Sequence, residues 1–361
     1  MEICKSFCNF AAVIKKEHVC MNIYSLLKYY RRIKSPRIKL LGILVLHVLR
    51  RRYLYISMDP SLSCNFRCRM CFFSNPEIRA QMKDRFSQED IHAFANALFH
   101  RALKIQIGCG AEPLTFSGLP ELVKLASEKG IANISVTTNG SLLTREKLQQ
   151  LIDHGLTEII LSAHGLSKPV YEYMMPGADY EHFLLLVRDI SDVKKKHPKL
   201  LFRINYTVCE KNIDDLKLIP SLFKEFTPDV IQLRPVQDIG GIYNNYSMAS
   251  IMDKYTECIV PVVQFCEARG ITCIYPQINH LEIIDDENGK KSHLNAVVDM
   301  LPCINVSPYD HWKEEFNPYM ETFEDYARRT SRVSRIWKMF LGLNSASENE
   351  TVTHALNYDV K

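Results

Sequence analysis

Three cysteines, Cys64, Cys68 and Cys71, lie close together in the stretch CNFRCRMC. Three thiolates on so short a loop can wrap one face of a cubane iron–sulfur cluster and leave the fourth iron open. A structural zinc ion needs a fourth ligand nearby to close its tetrahedron, and the loop carries no fourth cysteine. The spacing C-x3-C-x2-C therefore predicts a [4Fe–4S] cluster with one iron free for a ligand.

Three further segments rich in small residues follow short apolar runs, where strands are predicted to end. They are Gly108–Pro113, Val136–Gly140 and Ile159–Gly165. Small residues at strand ends let the backbone approach a ligand closely. All four segments are therefore expected to contribute to one site.

The cluster loop and these segments, taken in order, resemble the motifs of the radical S-adenosylmethionine (SAM) superfamily. Gly110-Ala-Glu-Pro113 resembles its GGEP segment, Thr138-Asn-Gly140 its TNG strand end, and Ser162–Gly165 its SLDG segment. The resemblance spans roughly residues 52 to 240 and implies that the open iron binds the amino and carboxylate groups of SAM. It also implies an electron donor such as flavodoxin or ferredoxin.

Short β-branched runs alternate with longer helical patterns along the chain. Strands are predicted at 53–58, 104–108, 133–137, 158–161, 202–208 and 230–233, and helices at 87–101, 120–129, 145–154, 180–196 and 213–226. This alternation indicates parallel pairing with right-handed crossovers, which leaves a doubly wound sheet and a TIM-like barrel open. The resemblance favours an α/β fold with a partial TIM barrel, (βα)6, and its site at the carboxyl-end mouth.

The sequence is expected to comprise four parts. Residues 1–51 form a basic arm with an apolar helix, 52–240 the radical SAM core, 241–343 a C-terminal extension and 344–361 a polar tail. Cys258, Cys266, Cys273 and Cys303 lack the CxxC-rich spacing of SPASM or Twitch extensions, so we expect one cluster. Leu301–Pro308 resembles a shortened remnant of such an extension.

The resemblance also assigns individual roles. Cys64, Cys68 and Cys71 are the cluster ligands, Met70 lies near adenine, Gly110, Ala111 and Glu112 contact the methionine amino group, and Ser162 and Asn139 lie near the ribose. Ala111 departs from the family glycine by one methyl group.

Four polar residues near the predicted mouth are substrate candidates: His164, Asn205, Gln232 and Arg234. Alternation along the last predicted strand places Gln232 and Arg234 on one face, where polar groups are costly unless they serve a ligand or a buried partner. His164 has two interpretations, a proton acceptor at the mouth or a loop histidine bonded to backbone.

Composition is that of a globular enzyme, with 47% hydrophobic and 24% charged residues among 361. The 12 cysteines favour a reducing compartment, and no signal-peptide pattern opens the chain, so we expect a cytoplasmic protein. Residues 1–52 carry twelve Lys or Arg against two Glu, a net charge of +10, which leaves −6 for the rest. Residues 24–52 could therefore contact an anionic membrane surface, or the apolar part, Leu40–Leu49, could instead close the barrel bottom.

The predicted activity is reductive cleavage of SAM to a 5′-deoxyadenosyl radical that abstracts hydrogen from a substrate, with a peptide or an envelope-glycan precursor favoured. An RNA-modifying radical SAM enzyme and a non-catalytic iron–sulfur carrier or sensor remain alternatives. The strand-end motifs Gly110–Pro113 and Asn139 argue against the carrier. The basic arm lacks regular aromatic interleaving, so the sequence carries no strong nucleic-acid signal.

Overall fold

The computed structural model describes residues 23–236, 248–276, 298, 301–309, 312–343 and 358–360. The chain divides into two compact units, residues 1–34 and 35–361. In the first unit the described part contains one helix, α1 (Ile23–Arg32). The predicted arm before residue 23, the stretch around the predicted boundary at 240 and most of the predicted tail lie outside the described residues.

The second unit is built on a nine-stranded sheet with the order β8-β1-β2-β3-β4-β5-β6-β7-β9. The first eight strands are parallel, and β9 runs antiparallel to β7. The strands are β1 (Leu54–Met58), β2 (Ala102–Ile107), β3 (Asn133–Thr138), β4 (Glu158–Ser162), β5 (Leu201–Val208), β6 (Val230–Pro235), β7 (Thr272–Pro276), β8 (Cys303–Val306) and β9 (Tyr358–Val360).

Helices connect and flank these strands. After α1 they are α2 (Pro36–Val48), α3 (Pro76–Gln81), α4 (Gln88–Leu98), α5 (Leu119–Glu128), α6 (Arg145–Asp153), α7 (Lys168–Met174), α8 (Tyr180–Lys196), α9 (Ile219–Leu222), α10 (Met248–Asp253), α11 (Val260–Arg269), α12 (Trp312–Glu315), α13 (Phe323–Arg329) and α14 (Arg332–Leu341). Their starts follow local chemistry, since Ser87 and Asp90 form a capping box at α4 and Asp179 caps α8. None of the helices in the described part is both long and apolar enough to cross a bilayer.

The sheet confirms the predicted partial barrel and extends it. All six predicted strands are present within a few residues of their expected bounds. Two parallel strands were not predicted: β7 lies beside β6, and β8 lies beside β1. The predicted helix at 213–226 is shorter, because a 3-10 turn (Ile213–Leu218) precedes α9. The predicted tail includes β9, so part of it joins the sheet.

The two faces of the sheet differ in chemistry. On one face apolar side chains such as Ile105, Val136 and Phe202 pack with the helices in the hydrophobic core. The strand register places polar residues side by side on the other, inner face, among them Lys104, Gln106, Ser135, Glu158, Arg203, Asn205 and Gln232. A polar inner face is costly unless its groups are paired or serve a ligand.

A buried ion pair crosses this inner face. The Lys104 Nζ atom lies 2.9 Å from a carboxylate oxygen of Glu158, and the Glu158 side chain has no exposed surface. Burial lowers the pKa of Lys104, while the neighbouring Glu158 carboxylate acts in the opposite direction. Each partner is therefore needed to keep the other's charge inside the barrel.

We predict that Glu158→Gln lowers the free energy of unfolding by about 3 kcal/mol, because it leaves the Lys104 charge buried without its carboxylate. The double variant Lys104→Met/Glu158→Leu should recover most of that loss, since it removes both charges. Urea denaturation measures both. Glu121→Gln, which removes an exposed partner of Lys124, is the control and should change stability by less than about 0.5 kcal/mol. Equal effects at positions 158 and 121 would contradict the assignment.

Candidate cluster and cofactor site

The cluster loop follows β1 and is held by its own backbone. The Cys71 N–H donates to the Cys68 carbonyl at 2.9 Å, and the Ser74 N–H donates to the Cys71 carbonyl at 2.9 Å. The Arg69 N–H donates to the carbonyl of Met174, the last residue of α7, at 3.0 Å. The loop is thus anchored to the connection after β4.

The three thiols have the environment that a cluster needs. Cys64, Cys68 and Cys71 are half-buried and free of disulfides. Burial raises the pKa of Cys64 to about 11 and raises the pKa of Cys68 and of Cys71, so a bound cation would be required to hold them as thiolates here. Three cysteines on one loop, with no fourth among them, fit a cluster in which each thiolate binds its own iron.

Asp59 organises the glycine-rich loop after β2. Its carboxylate accepts hydrogen bonds from the backbone N–H groups of Cys109 at 2.8 Å, Gly110 at 3.0 Å and Ala111 at 3.3 Å. Burial raises the pKa of Asp59, and these N–H donors act against the rise. The Asp59 carboxylate therefore directs the N–H groups of the loop after β2 toward the loop after β1. The carbonyl groups of the loop after β2 are left for other partners.

Glu112 ties the same loop to the end of β3. Its carboxylate accepts from the Thr138 hydroxyl at 2.7 Å, the Asn139 N–H at 2.7 Å and the Leu114 N–H at 3.1 Å. The side chain is 2% exposed, and burial raises its pKa against the effect of those donors. The Glu112 carboxylate thus holds two strand ends together.

Asn139 is tied to the cluster loop. Its side-chain Nδ2 donates to the side-chain Oδ1 of Asn65 at 2.9 Å, and its own Oδ1 accepts from the Ser141 hydroxyl at 2.7 Å. Asn65 in turn donates to that hydroxyl at 2.7 Å. The end of β3 therefore fixes the cluster loop next to Cys64.

The remaining cofactor candidates lie at the same edge of the sheet. Met70 is half-buried and packs on the core beside the cluster cysteines. Ser162 is the last residue of β4 and pairs in register with Asn205 of β5. Gly108 has a φ of +83°, and a Cβ there would lie 2.5 Å from the Thr137 carbonyl oxygen, so only glycine fits this turn.

His164 is a buried, neutral side chain bonded to backbone. Its Nδ1 accepts from the Thr207 N–H at 3.2 Å, and its carbonyl accepts from the Asn212 side chain at 2.9 Å. Burial lowers its pKa to about 3, and the charge of Arg234 acts in the same direction. Of the two interpretations of His164, the structure supports the loop histidine bonded to backbone.

Asn205, Gln232 and Arg234 share the inner face near the mouth. Asn205 and Gln232 are register partners on β5 and β6, and Thr207 pairs with Arg234 one step nearer the mouth. The Asn205 Oδ1 atom accepts from the Arg203 guanidinium at 2.7 Å. The Asn205 Nδ2 and Gln232 Oε1 atoms are buried with no hydrogen-bond partner among the described residues. A donor and an acceptor on neighbouring strands are thus available to a ligand.

Sequence reasoning missed Asp59 and Asn65. Asp59 directly follows β1 and Asn65 directly follows the first cysteine, so both stand at the strand-end position where ligand-binding residues collect. Their partners come from loops at least 50 residues away. The position of both residues after β1 could have identified them from the sequence. The sequence could not show which distant residues they bind.

The C-terminal cysteines are distributed through the fold. Cys258, Cys266 and Cys273 are buried in the core. Cys273 lies on β7 and Cys303 on β8, near opposite ends of the strand order. The single-cluster expectation stays a prediction.

Comparison with known proteins identifies one matching family. Residues 58–217 match the model of the Radical SAM superfamily. The "Probable GTP 3′,8-cyclase" of Sulfolobus acidocaldarius is 27% identical over 199 residues, which cover 54% of this chain and 61% of that protein. The Fe-coproporphyrin III synthase of Methanosarcina barkeri is 27% identical over 163 residues, 45% of this chain and 39% of that protein. The match thus spans less than two thirds of the length of either relative.

A solved structure shares the fold. Streptococcus suis SuiB superimposes with a TM-score of 0.56 at 14% sequence identity, covering 84% of this chain and 68% of that one. At this identity the likeness concerns the architecture. It supports the partial barrel and extends beyond the residues that the family model matches.

The buried neutral His164 predicts a pH dependence of stability. The unfolded imidazole, with a pKa of about 6.5, binds a proton as the pH falls from about 7.5 to 5.5, whereas the folded one does not. Wild type should therefore lose about 1.4 kcal/mol of unfolding free energy to this group over that range. His164→Asn keeps an acceptor for the Thr207 N–H and removes the titration, so its urea-denaturation curves should shift correspondingly less with pH. Identical pH dependence in the two proteins would show that His164 titrates freely.

Proposed function

Residues 58–217 form a radical SAM domain, and on that premise we propose that Cys64, Cys68 and Cys71 hold a [4Fe–4S] cluster in a radical SAM enzyme. The observation that carries this is the trio of free, half-buried thiols on the single loop that follows the carboxyl end of β1. When bound, such a cluster supplies the electron that splits SAM into methionine and a 5′-deoxyadenosyl radical, which takes a hydrogen atom from the substrate. The electron comes from a donor such as flavodoxin or ferredoxin.

SAM binding is proposed for the rim formed by the next three strand ends. Asp59 holds the backbone at Gly110 and Ala111 in the conformation that receives the methionine amino group. Met70 lies beside the adenine, and Asn139 and Ser162 stand at the ribose side. Glu112 acts as a positioning residue, because its carboxylate is already occupied by donors from β3 and its own loop.

Substrate binding is proposed for the inner face beside this rim. The Asn205 Nδ2 donor and the Gln232 Oε1 acceptor together match a group that offers both an acceptor and a donor, such as a peptide amide or a sugar hydroxyl. Arg234 adds a positive charge next to them, and the proximity of this charge is one reason why His164 stays neutral. This chemistry favours a peptide or a glycan precursor as substrate.

The protein's own contribution is to hold the reacting groups and exclude water, because a carbon radical reacts with whatever hydrogen donor it meets first. The hydrogen-bonded chain from Tyr55 to Gln106 at 2.8 Å and on to Thr137 at 3.0 Å keeps these inner-face groups fixed. A rigid inner face therefore limits side reactions.

A nucleotide substrate is the second candidate. Relatives named GTP 3′,8-cyclase match this chain, including that of Chlorobaculum tepidum at 26% identity over 188 residues. The match covers 54% of that protein. Comparing 5′-deoxyadenosine release with GTP, with peptides and with glycan precursors discriminates the classes, since the true class should accelerate the release.

We predict that anaerobically reconstituted protein binds about four irons and, when reduced, releases 5′-deoxyadenosine from SAM. Replacement of Cys64, Cys68 and Cys71 by alanine should abolish both, because it removes every proposed ligand. Iron analysis and chromatography of the products measure the two effects. Cys303→Ala is the control and should keep the iron. Full iron content in the triple variant would refute the assignment, and about eight irons in wild type would indicate a second cluster.

Asp59→Ala should raise the Kd for SAM about tenfold, since three backbone N–H groups lose their acceptor and the loop at Gly110 relaxes. Asp59→Asn keeps one acceptor oxygen and should have a smaller effect. Calorimetry on reconstituted protein measures the affinity, with the cluster spectrum as a check on folding. Asp84→Ala, an exposed position in the segment before α4, should leave the Kd unchanged. Unaltered affinity in Asp59→Ala would rule out the proposed role.

A further inference from the structure

Two helices that are far apart in the sequence lie together at the end of the barrel away from the cluster. The ring of His47, near the end of α2, lies 5.9 Å from the ring of Phe323. The guanidinium of Arg332, at the start of α14, lies 5.6 Å from the same ring. The helices α2 and α14 also pack against each other.

This helix pair lies at the amino ends of the first strands. The Arg101 guanidinium, which precedes β2, donates to the His47 carbonyl at 3.2 Å. The Arg52 guanidinium donates to the carbonyl of Ala102, the first residue of β2, at 3.1 Å. Leu40, Ile43 and Leu44 are buried, as expected if α2 closes the barrel bottom. The cluster loop follows the opposite, carboxyl end of β1.

Packing against the core accounts for the apolar residues on only one side of α2 and of α14. The residues Val48 (70% exposed), Leu49 (61%), Trp337 (46%), Leu341 (58%) and Leu343 (71%) project into solvent at or just beyond the helix ends. A Cβ added at Gly42 would meet nothing within 4 Å, so the outer side of α2 is open along its middle as well. Apart from the Trp337 ring, whose centre lies 5.2 Å from that of Phe340 in the same helix, these large apolar side chains face solvent in the described structure.

The two segments that carry these side chains have charged residues of one sign only. Residues 35–52 and 331–343 contain no Asp or Glu. Exposed basic residues border the apolar ones, namely Arg37, Arg50, Arg51, Arg335 and Lys338. Trp and Leu flanked by Arg and Lys on one helical surface are typical of helices that lie in a membrane interface. We call these five apolar and five basic residues the basic–apolar face.

We propose that the basic–apolar face docks on the surface of an anionic lipid bilayer. Charge selects this partner, because the five cations of these two acid-free segments complement anionic headgroups, and the nearby Glu324 is already paired with Arg101 and His100. The exposed Trp337, Leu341 and Leu343 can enter the headgroup boundary. The apolar residues favour a lipid over a polyanion, because a polyanion binds the cations and does not bury exposed apolar side chains. Docking through the barrel bottom leaves the mouth, with the proposed cluster site, facing away from the membrane.

Flotation of the full-length protein with vesicles tests the proposal. Vesicles of phosphatidylcholine and phosphatidylglycerol in equal parts should carry the protein at low salt, and vesicles of phosphatidylcholine alone should not. Replacing Arg50, Arg51, Arg335 and Lys338 by Glu should reduce the bound fraction at least about tenfold. Trp337→Ser/Leu341→Ser should also reduce it, and the binding that remains should be lost at roughly 0.5 M salt.

The matched control changes the same net charge elsewhere. Lys83, Lys168, Lys211 and Lys217 are exposed on connections that follow β1, β4 and β5, on the mouth side of the barrel, and their replacement by Glu should leave flotation unchanged. Equal loss of vesicle binding in both charge variants would overturn the proposal in favour of a net-charge effect.

The proposal is also overturned if the wild-type protein does not float with the anionic vesicles. It is overturned as well if the Trp337→Ser/Leu341→Ser variant floats like wild type and the protein binds random-sequence RNA tightly. If the wild-type protein does not float but is a dimer in light scattering, and the Trp337→Ser/Leu341→Ser variant is a monomer, the basic–apolar face would instead bind a second copy of the chain. Unchanged cluster content in each variant shows that it is folded.

Discussion

Buried and half-buried carboxylates hold the mouth of this barrel together, and the proposed site depends on them. Asp59 joins the loop after β1 to the loop after β2, and Glu112 joins the loop after β2 to the end of β3. Asp215, in the turn after β5, accepts from the N–H groups of Leu166 at 2.7 Å and Ser167 at 2.9 Å in the loop after β4. A carboxylate that accepts several N–H donors makes charge-assisted bonds, which are stronger than neutral ones. Loops that would otherwise move independently therefore form one rim.

The inner face of the sheet shows a second consequence of the barrel. The buried pair of Lys104 and Glu158, with Arg203 nearby, contributes little net stability relative to an apolar core, because desolvation offsets the attraction of the charges. A polar inner face is useful when a polar substrate must be bound there and water kept out. The available Asn205 and Gln232 atoms, next to each other on β5 and β6, are consistent with that role.

The two ends of the strands have different characters. At the carboxyl ends lie the cysteines and the bonded strand-end loops, and at the amino ends lie α2 and α14 with their exposed basic and apolar side chains. This separation would let the proposed reaction at the mouth and the proposed docking on a membrane change independently of each other.

The sequence by itself determined the cluster loop and the alternation of strand and helix, because both are local: three cysteines within eight residues, and apolar runs whose period reveals their type. It identified Cys64, Gly110, Asn139 and Gln232 as site candidates through their places at or near strand ends. Only the tertiary structure decided what each carboxylate binds, since Asp59 finds its donors 50 or more residues away. Only the tertiary structure placed β8 beside β1 and α14 beside α2, since each partner is more than 240 residues further along the chain. Pairing at such distance is set by which apolar and polar surfaces meet in the folded barrel, and no local pattern records it.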